Sequence, residues 1–352
     1  MLSSINVQLV NGLSGDPAVY AQLAQAGESI LFDAGSLDAL SNRELLKIRV
    51  VAISHTHVDH FIGFDKLIRV NVPHFRSLEI IGPSGIINNV VGKLQGYTWN
   101  LLDPDQLTFI VHEIRSDGSL CTVKISNTNQ FLPINISQQN QPASASTKVV
   151  DVPLVTTRFY TLSATVVDHG TDVLAFCMSL PSSMVVNKEA LSASGHAPGP
   201  WIADLQRRSS NGDLSGSIAV GGTPHATSAL AEALLTSKPG ERLLYVTDML
   251  FSQPNYARLK NLGQSGIDLL VCETNYRIQD RDKASAKSHL TTRQAALIAA
   301  TLQAKQLQIF HISNIYAADV ESSVLETNTC LETFRAMSPS ELDDTISREF
   351  EV

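Results

Sequence analysis

Short apolar runs that end at polar residues recur in the first and last thirds of the chain. Ser29–Phe32 ends at Asp33, and Arg49–Ile53 ends at Ser54 and His55. Apolar runs of this length between turn residues are typical of buried strands. The same reasoning predicts strands at Leu78–Ile81, Leu243–Val246, Ile267–Val271 and Gln306–Phe310, and helices at Phe61–Arg69 and Arg293–Gln303.

The pattern changes to an alternation with a period of two from about Leu107 to Leu180. Such alternation predicts half-buried strands, and we expect an antiparallel run here. Within this region, Ser126–Thr147 is rich in Asn, Gln and Ser, which favours a solvated loop. The predicted strands are Leu107–His112, Cys121–Ile125, Lys148–Val150, Phe159–Val167 and Asp172–Met178.

Residues 184–222 break both patterns. A short helix is predicted at Asn187–Ser192, and a Pro-Gly-Pro turn at Pro198–Pro200 precedes a stretch rich in Ser, Gly and Asn. The chain has 352 residues, and one large layered domain fits this length as well as two domains do. We therefore expect a single α/β domain over residues 1–352 with an inserted, arm-like segment at about 184–222.

Composition and charge narrow the class of protein. Hydrophobic residues make up 43% of the chain and charged residues 17%, which excludes a disordered, collagenous or coiled-coil chain. The 26 basic and 34 acidic residues give a net charge of −8, which argues mildly against a nucleic-acid-binding protein. Four cysteines without a CxxC pair predict a reduced, intracellular protein. Because we see no signal peptide and no apolar run of about 18 residues, we expect a cytoplasmic location and no membrane partner.

The strongest chemical signal is the run HTHVDH at His55–His60, directly after a predicted strand. In an extended turn the side chains of His55 and His57 point the same way and are placed to bind one ion. Asp59 and His60 lie beyond the turn and are placed to bind a second ion nearby. Imidazole nitrogen together with carboxylate oxygen is a ligand set that suits Zn²⁺.

This HxHxDH motif resembles that of the metallo-β-lactamase-fold hydrolases, and the resemblance extends to Asp33 in Phe-Asp-Ala-Gly and to Gly63 after the motif. The resemblance implies an α/β (layered α+β) fold in which two sheets lie between two helical layers, as a four-layer αβ/βα sandwich. Single residues after later strands then complete the site. By this resemblance one zinc is held by His55, His57 and His169, the other by Asp59, His60 and His311, and both by Asp248. Asp33 would support a ligand from behind rather than bind metal.

Four further features resemble tRNase Z (ribonuclease Z), the zinc endoribonuclease family that trims tRNA 3′ ends. Two of them look like the family's His-Glu-Ala-Thr and Gly-His-Ser-Thr motifs. The resemblance implies that Glu273 orients His289, which donates a proton to the leaving 3′-oxygen. Asp59, Glu273 and His289 are thus expected to carry catalysis. The features are Asp168–Gly170 before the strand Val173–Met178, the helix and Pro-Gly-Pro turn of residues 184–222, Cys272–Asn275, and Ser288–Thr291.

Several positions depart from the family pattern. Cys272 replaces His, Ser288 replaces Gly, Leu290 replaces Ser, and Ile315 stands where the family has Arg. The arm-like segment also carries few cations, which are Lys188, Arg207 and Arg208.

The resemblance implies a dizinc phosphodiesterase that uses a metal-bridging hydroxide, with two zinc ions per chain or manganese in their place. Precursor tRNA is the implied substrate and a homodimer the implied assembly. Because docking of tRNA needs several Lys or Arg contacts to phosphate, the net charge of −8 keeps a small phosphodiester such as a cyclic nucleotide, or a lactone or other ester, as an alternative substrate. A second alternative is a non-catalytic binding subunit that retains the fold.

Overall fold

A computed structural model gives the fold of the chain and describes residue 2 and residues 4–74, 76–139 and 153–350. The strands, in chain order, are β1 (Ile5–Leu9), β2 (Val19–Leu23), β3 (Ser29–Phe32), β4 (Ile48–Ala52), β5 (Arg76–Pro83), β6 (Leu107–Ile114), β7 (Leu120–Ser126), β8 (Ile134–Gln139), β9 (Pro153–Thr156), β10 (Thr161–Asp168), β11 (Asp172–Ser179), β12 (Ser183–Val186), β13 (Ser217–Val220), β14 (Thr223–Ala226), β15 (Leu235–Lys238), β16 (Arg242–Val246), β17 (Leu269–Glu273) and β18 (Gln306–Phe310). The α-helices are α1 (Asn42–Leu45), α2 (Val58–Phe61), α3 (Phe64–Asn71), α4 (Ile86–Gln95), α5 (Lys188–Ala193), α6 (Trp201–Ser210), α7 (Thr227–Leu234), α8 (Gln253–Gly263), α9 (Arg281–Ala286), α10 (Thr292–Thr301), α11 (Val320–Arg335) and α12 (Pro339–Phe350).

Strands β1 to β8 form one sheet in chain order. Its central strands β3, β4, β5 and β6 are parallel, so their carboxyl ends meet at one edge. Asp33 follows β3 and His55 lies three residues after β4, which places both residues at that edge. Helices α3 and α4 bury residues such as Phe64 and Val90 in a core shared with Phe109 of β6.

The second sheet has the order β18-β17-β16-β11-β10-β9. Strands β16, β17 and β18 are parallel. Their carboxyl ends therefore bring Asp248, Glu273 and His311 to one edge, although these residues lie far apart in the sequence. Helices α8, α10, α11 and α12 pack on this sheet through a second apolar core.

The two sheets face each other through aromatic rings. The ring of Phe32 from β3 stacks on Tyr245 from β16, with centroids 5.3 Å apart, and lies 6.0 Å from the ring of Phe176 in β11. Because helices cover the other face of each sheet, the layers run helix, sheet, sheet, helix. The four-layer αβ/βα sandwich predicted from the sequence is confirmed. Among the described residues, no helix is both long and apolar enough to cross a membrane.

Residues Ser179–Glu241 form a compact unit of their own. In this unit β12 pairs with β15, β13 pairs with β14, and α5, α6 and α7 bury residues such as Leu205 and Leu230. The unit contains residues 184–222 and extends beyond them at both ends. The arm-like role of that segment, and the single domain over 1–352, stay predictions.

The middle of the chain differs from the sequence prediction. The predicted antiparallel run is divided, because β6 pairs in parallel with β5 in the first sheet while β10 and β11 belong to the second. The predicted loop Ser126–Thr147 contains β8, which pairs antiparallel with β7. Composition misled here, since an edge strand is held by backbone hydrogen bonds and tolerates polar side chains. Residues 140–147 and the predicted strand Lys148–Val150 lie outside the described residues.

Candidate metal centre

Asp33 is the buried anchor of the site. Its carboxylate accepts hydrogen bonds from the Ser54 backbone N–H at 2.6 Å, the Ser54 hydroxyl at 2.7 Å, the Tyr245 hydroxyl at 2.7 Å and His60 Nδ1 at 2.8 Å. The fourth contact fixes the tautomer of His60, because Nδ1 carries the donated proton and Nε2 is left as the free nitrogen. Asp33 therefore supports a ligand from behind.

The surroundings of His60 Nε2 indicate whether the centre fits a metal ion. The residue is fully buried in α2, and its Nε2 makes no hydrogen bond to any of the described residues. The carboxylate oxygens nearest to this nitrogen are Oδ2 of Asp248 at 3.4 Å and Oδ2 of Asp59 at 3.7 Å. Buried polar atoms are rarely left without a partner. An orphaned imidazole nitrogen that faces two carboxylates is the arrangement expected where a cation binds.

The first group of ligand-type residues comprises His55, His57, His169 and Asp248, whose ligand atoms all lie within 4.8 Å of one another. Burial, reinforced by the neighbouring His60, lowers the pKa of His55 to about 2, so its imidazole is neutral and able to bind metal. His169 donates its Nδ1 proton to the Ser288 carbonyl at 2.7 Å, which leaves Nε2 free, 3.5 Å from Asp248 Oδ2.

The second group comprises Asp59, His60 and His311, and its ligand atoms lie within the same distance limit. His311 Nε2 is 3.4 Å from Asp59 Oδ2, and His311 Nδ1 contacts Asp248 Oδ1 at 2.8 Å. Burial opposes the charged form of His311, but the Asp248 carboxylate outweighs it and raises the pKa of His311 to about 10. Asp248 touches both groups and is itself buried, which is the position expected of a shared ligand.

Glu273 and His289 form a fixed pair beside these groups. Glu273 is buried, and its Oε1 accepts the backbone N–H groups of Met249 at 3.0 Å and Leu290 at 3.2 Å. Its Oε2 accepts from His289 Nδ1 at 2.8 Å. Burial disfavours protonation of His289, but Glu273 outweighs it and raises the His289 pKa. His289 Nδ1 also lies 3.9 Å from Asp248 Oδ2, so the pair adjoins the candidate metal ligands.

Ser288, directly before His289, stands where the motif that this segment resembles has Gly. Ser288 has a backbone φ of +57°, in the left-handed region that glycine adopts most readily. The family has Gly at this position, and the chain keeps the glycine-like conformation with a serine. That conformation aims the Ser288 carbonyl at His169, so the loop holds a candidate ligand and the acid–base pair together.

These side chains line or underlie an open pocket of about 610 Å³, called here the main pocket. His55, His60 and Glu273 lie buried behind its wall. Among the described residues that line the main pocket, one is a Lys or Arg, namely Lys287. The predicted residues that line it are His57, Asp59, His169, Asp248, His289 and His311.

Sequence reasoning assigned no role to Tyr245, or to Asn275 within the motif Cys272–Asn275. Tyr245 lies inside the apolar run of β16, so the pattern predicts a core residue. Its hydroxyl nevertheless donates a hydrogen bond to Asp33, which follows a strand of the other sheet. Asn275 donates from Nδ2 to the His311 carbonyl at 2.9 Å and steadies that loop. Its place two residues after Glu273, just past a strand, is the signal that points to it.

We expect Tyr245→Phe to lower the free energy of unfolding of the metal-free protein by about 1.5–3 kcal/mol, because it removes a buried hydrogen bond to a carboxylate. The ring stays, so the stack on Phe32 is kept and the change isolates the hydroxyl. Denaturant titration of both proteins measures the difference. An unchanged midpoint contradicts the anchoring role of the hydroxyl.

No family model matches the chain. A ribonuclease Z from Deinococcus radiodurans is 29% identical over 301 residues, which cover 85% of this chain and 86% of that protein. Among solved structures, the metallo-beta-lactamase fold protein YhfI from Bacillus subtilis matches with a TM-score of 0.52 and 16% identity, covering 92% of each chain. Human tRNase Z, short form, matches with a TM-score of 0.50 and 16% identity, covering 89% of this chain and 92% of that chain.

Sequence and structure thus point the same way. The similarity to the ribonuclease Z covers most of both chains, and the two solved structures share the layered fold. The strand ends gather imidazole and carboxylate groups close enough together to hold a metal ion. The chain is therefore a metal-dependent hydrolase of the metallo-β-lactamase fold that resembles ribonuclease Z.

Proposed function

We propose that the chain is a tRNA 3′-processing endoribonuclease that hydrolyses one phosphodiester bond of precursor tRNA. The observation that carries the proposal is the Glu273–His289 pair, held at 2.8 Å beside the candidate metal ligands. An alkoxide is a poor leaving group, so cleavage of a ribose phosphodiester benefits from a positioned general acid. Hydrolysis of an activated lactam depends less on such an acid. The similarity to ribonuclease Z supports the same substrate class.

Two zinc ions per chain are part of the proposal. His55, His57 and His169 would hold one ion, Asp59, His60 and His311 would hold the other, and Asp248 would contact both. Metal ions at such a site lower the pKa of water and stabilise the charge that develops on an attacked phosphate. Manganese in place of zinc, a homodimer and a cytoplasmic location belong to the same proposal.

The protein's own residues perform the remaining tasks. Asp33 fixes the tautomer of His60, and the Ser288 carbonyl fixes that of His169, so both rings present Nε2 to the centre. Glu273 orients His289 through Nδ1, and its two backbone contacts prevent the carboxylate from rotating away. His289 Nε2 is then the nitrogen that faces substrate and carries the proton for the leaving 3′-oxygen.

We expect the purified protein, loaded with zinc or manganese, to cleave a precursor tRNA at the 3′ side of its acceptor stem. The measurement is gel analysis of a 3′-labelled precursor, and a protein treated with a chelator serves as the control. Cleavage that depends on the metal supports the proposal. Metal-loaded protein that hydrolyses bis(p-nitrophenyl) phosphate and leaves precursor tRNA intact contradicts the tRNA assignment.

A small phosphodiester such as a cyclic nucleotide is the second candidate substrate. It is favoured by the single Lys or Arg among the described lining of the main pocket, Lys287, and by the net charge of −8. A tRNA acceptor stem presents many phosphates, and each contact normally takes a cation. Turnover of a cyclic nucleotide without turnover of precursor tRNA distinguishes this candidate, and a neutral lactone in the same panel tests the ester alternative.

A further inference from the structure

A second pocket of about 370 Å³ adjoins the main pocket, and His289 lines both. Its walls come from the start of α8, from α9 and α10, and from the end of α12. None of the seven candidate metal ligands is among the described residues that line it. The candidate acid thus stands between a pocket that holds the metal ligands and a pocket that does not.

The lining of the second pocket suits a flat, heterocyclic group. The rings of Phe251 and Phe350 are stacked with centroids 5.1 Å apart and form an apolar wall. Ser252, Gln253 and Ser285 supply hydroxyl and amide groups around it. An apolar wall combined with a few polar side chains suits a single base, which binds through apolar contact and through hydrogen bonds to its edge.

Apart from His289, the charged residues in the described lining of the second pocket are Arg281 and Glu349, and these two pair with each other. Arg281 donates to the Glu349 carbonyl at 2.6 Å and lies 3.7 Å from the Glu349 carboxylate, which is buried. A paired arginine is not available to a phosphate without breaking this contact. The pocket therefore favours an uncharged nucleoside over a second phosphate group.

We infer that the second pocket binds the nucleoside whose 3′-oxygen leaves, and this inference rests on the proposed function. In the reaction, water adds its oxygen to phosphorus, the bond from phosphorus to the 3′-oxygen breaks, and His289 gives a proton to that oxygen. The products are a free 3′-hydroxyl and a 5′-phosphate. An acid that protonates the leaving oxygen must be within hydrogen-bond distance of it, so the nucleoside attached to that oxygen lies beside His289. The second pocket adjoins His289, and none of the candidate metal ligands is among its described lining.

The test compares two esters that share the nucleoside 5′-phosphate half and differ only in the leaving group. One is a dinucleoside monophosphate, which releases a nucleoside, and the other is the p-nitrophenyl ester of a nucleoside 5′-phosphate. Gln253 is exposed at the first position of α8 and lines the second pocket. We expect Gln253→Ala to raise KM for the dinucleotide by about three- to tenfold through loss of base contacts, and to leave the nitrophenyl ester unchanged.

A matched control is available on the same helix. Gln264 is an exposed glutamine at the other end of α8, so Gln264→Ala is expected to behave as wild type on both esters. A nucleoside with a free 3′-hydroxyl, used as an inhibitor of nitrophenyl ester turnover, gives a second readout, and its inhibition constant is expected to rise by the same factor in Gln253→Ala.

Three outcomes separate the hypotheses. Equal KM values and equal nucleoside inhibition in wild type and Gln253→Ala overturn the second-pocket inference while the proposed function stands. Equal losses on both esters also overturn it, because the effect then does not follow the leaving group. A metal-loaded wild-type protein that cleaves neither ester and leaves precursor tRNA intact overturns the proposed function itself.

Discussion

Asp248→Asn is expected to bind zinc at least about a hundredfold more weakly than the wild type and to lose hydrolytic activity. Partners of the ligands in metal sites are already worth about 10- to 100-fold in affinity. Asp248 belongs to the first candidate ligand group and also lies against His60 and His311 of the second. The amide keeps the shape of the side chain but removes the negative charge. Metal content by elemental analysis after dialysis, and titration with a chromophoric competitor, measure the effect.

Two further variants make the Asp248 result interpretable. Asp38→Asn removes a negative charge at an exposed surface position, where Lys66 is its partner, and is expected to keep full metal content. His57→Ala removes one candidate ligand from an exposed position, so it tests the ligand assignment with little risk to folding. Two zinc ions retained by both Asp248→Asn and His57→Ala would refute the assignment.

His289→Ala is expected to keep both metal ions and to slow cleavage of a dinucleoside monophosphate by about 10²–10⁴-fold. The same variant is expected to slow the nitrophenyl ester much less, because p-nitrophenolate leaves without a proton. This difference between substrates separates loss of an acid from a general loss of structure. Initial rates on both esters, with metal content measured on the same samples, give the answer.

The exposed His74 provides the control, and His74→Ala is expected to leave both rates unchanged. Glu273→Gln tests the partner. It removes the charge and leaves one acceptor oxygen where the carboxylate has two, so either His289 Nδ1 or the two backbone N–H groups lose their acceptor. We expect an intermediate loss on the dinucleotide alone. Equal rate losses on the two esters in His289→Ala would contradict the acid role.

Much of the candidate centre could be predicted from the sequence because parallel strands place their carboxyl ends at one edge. Asp248, Glu273 and His311 each end a short apolar run, and the structure brings them together as that rule requires. Tyr245 could not be found in this way, because its neighbours are apolar and only the packing of two sheets shows what its hydroxyl reaches.

The parts that the sequence did not predict depend on contacts between distant segments. β8 lies in a polar stretch, and its pairing is made by the backbone, which composition does not report. The second pocket needs the end of α12 to pack against Phe251, more than ninety positions earlier in the chain. No local pattern signals such a contact, because the spacing within α12 describes only an amphipathic helix.

The hydrogen bond from Tyr245 to Asp33 has a consequence for how the protein matures. It links a residue of one sheet to a residue of the other, and the candidate ligands are likewise divided between the two sheets. A partly folded chain with a single sheet therefore holds only part of the candidate ligand set: four residues at the first sheet (His55, His57, Asp59 and His60) or three at the second (His169, Asp248 and His311). Metal would be captured late, after the sheets have docked, and its binding energy would stabilise the docked pair as a whole.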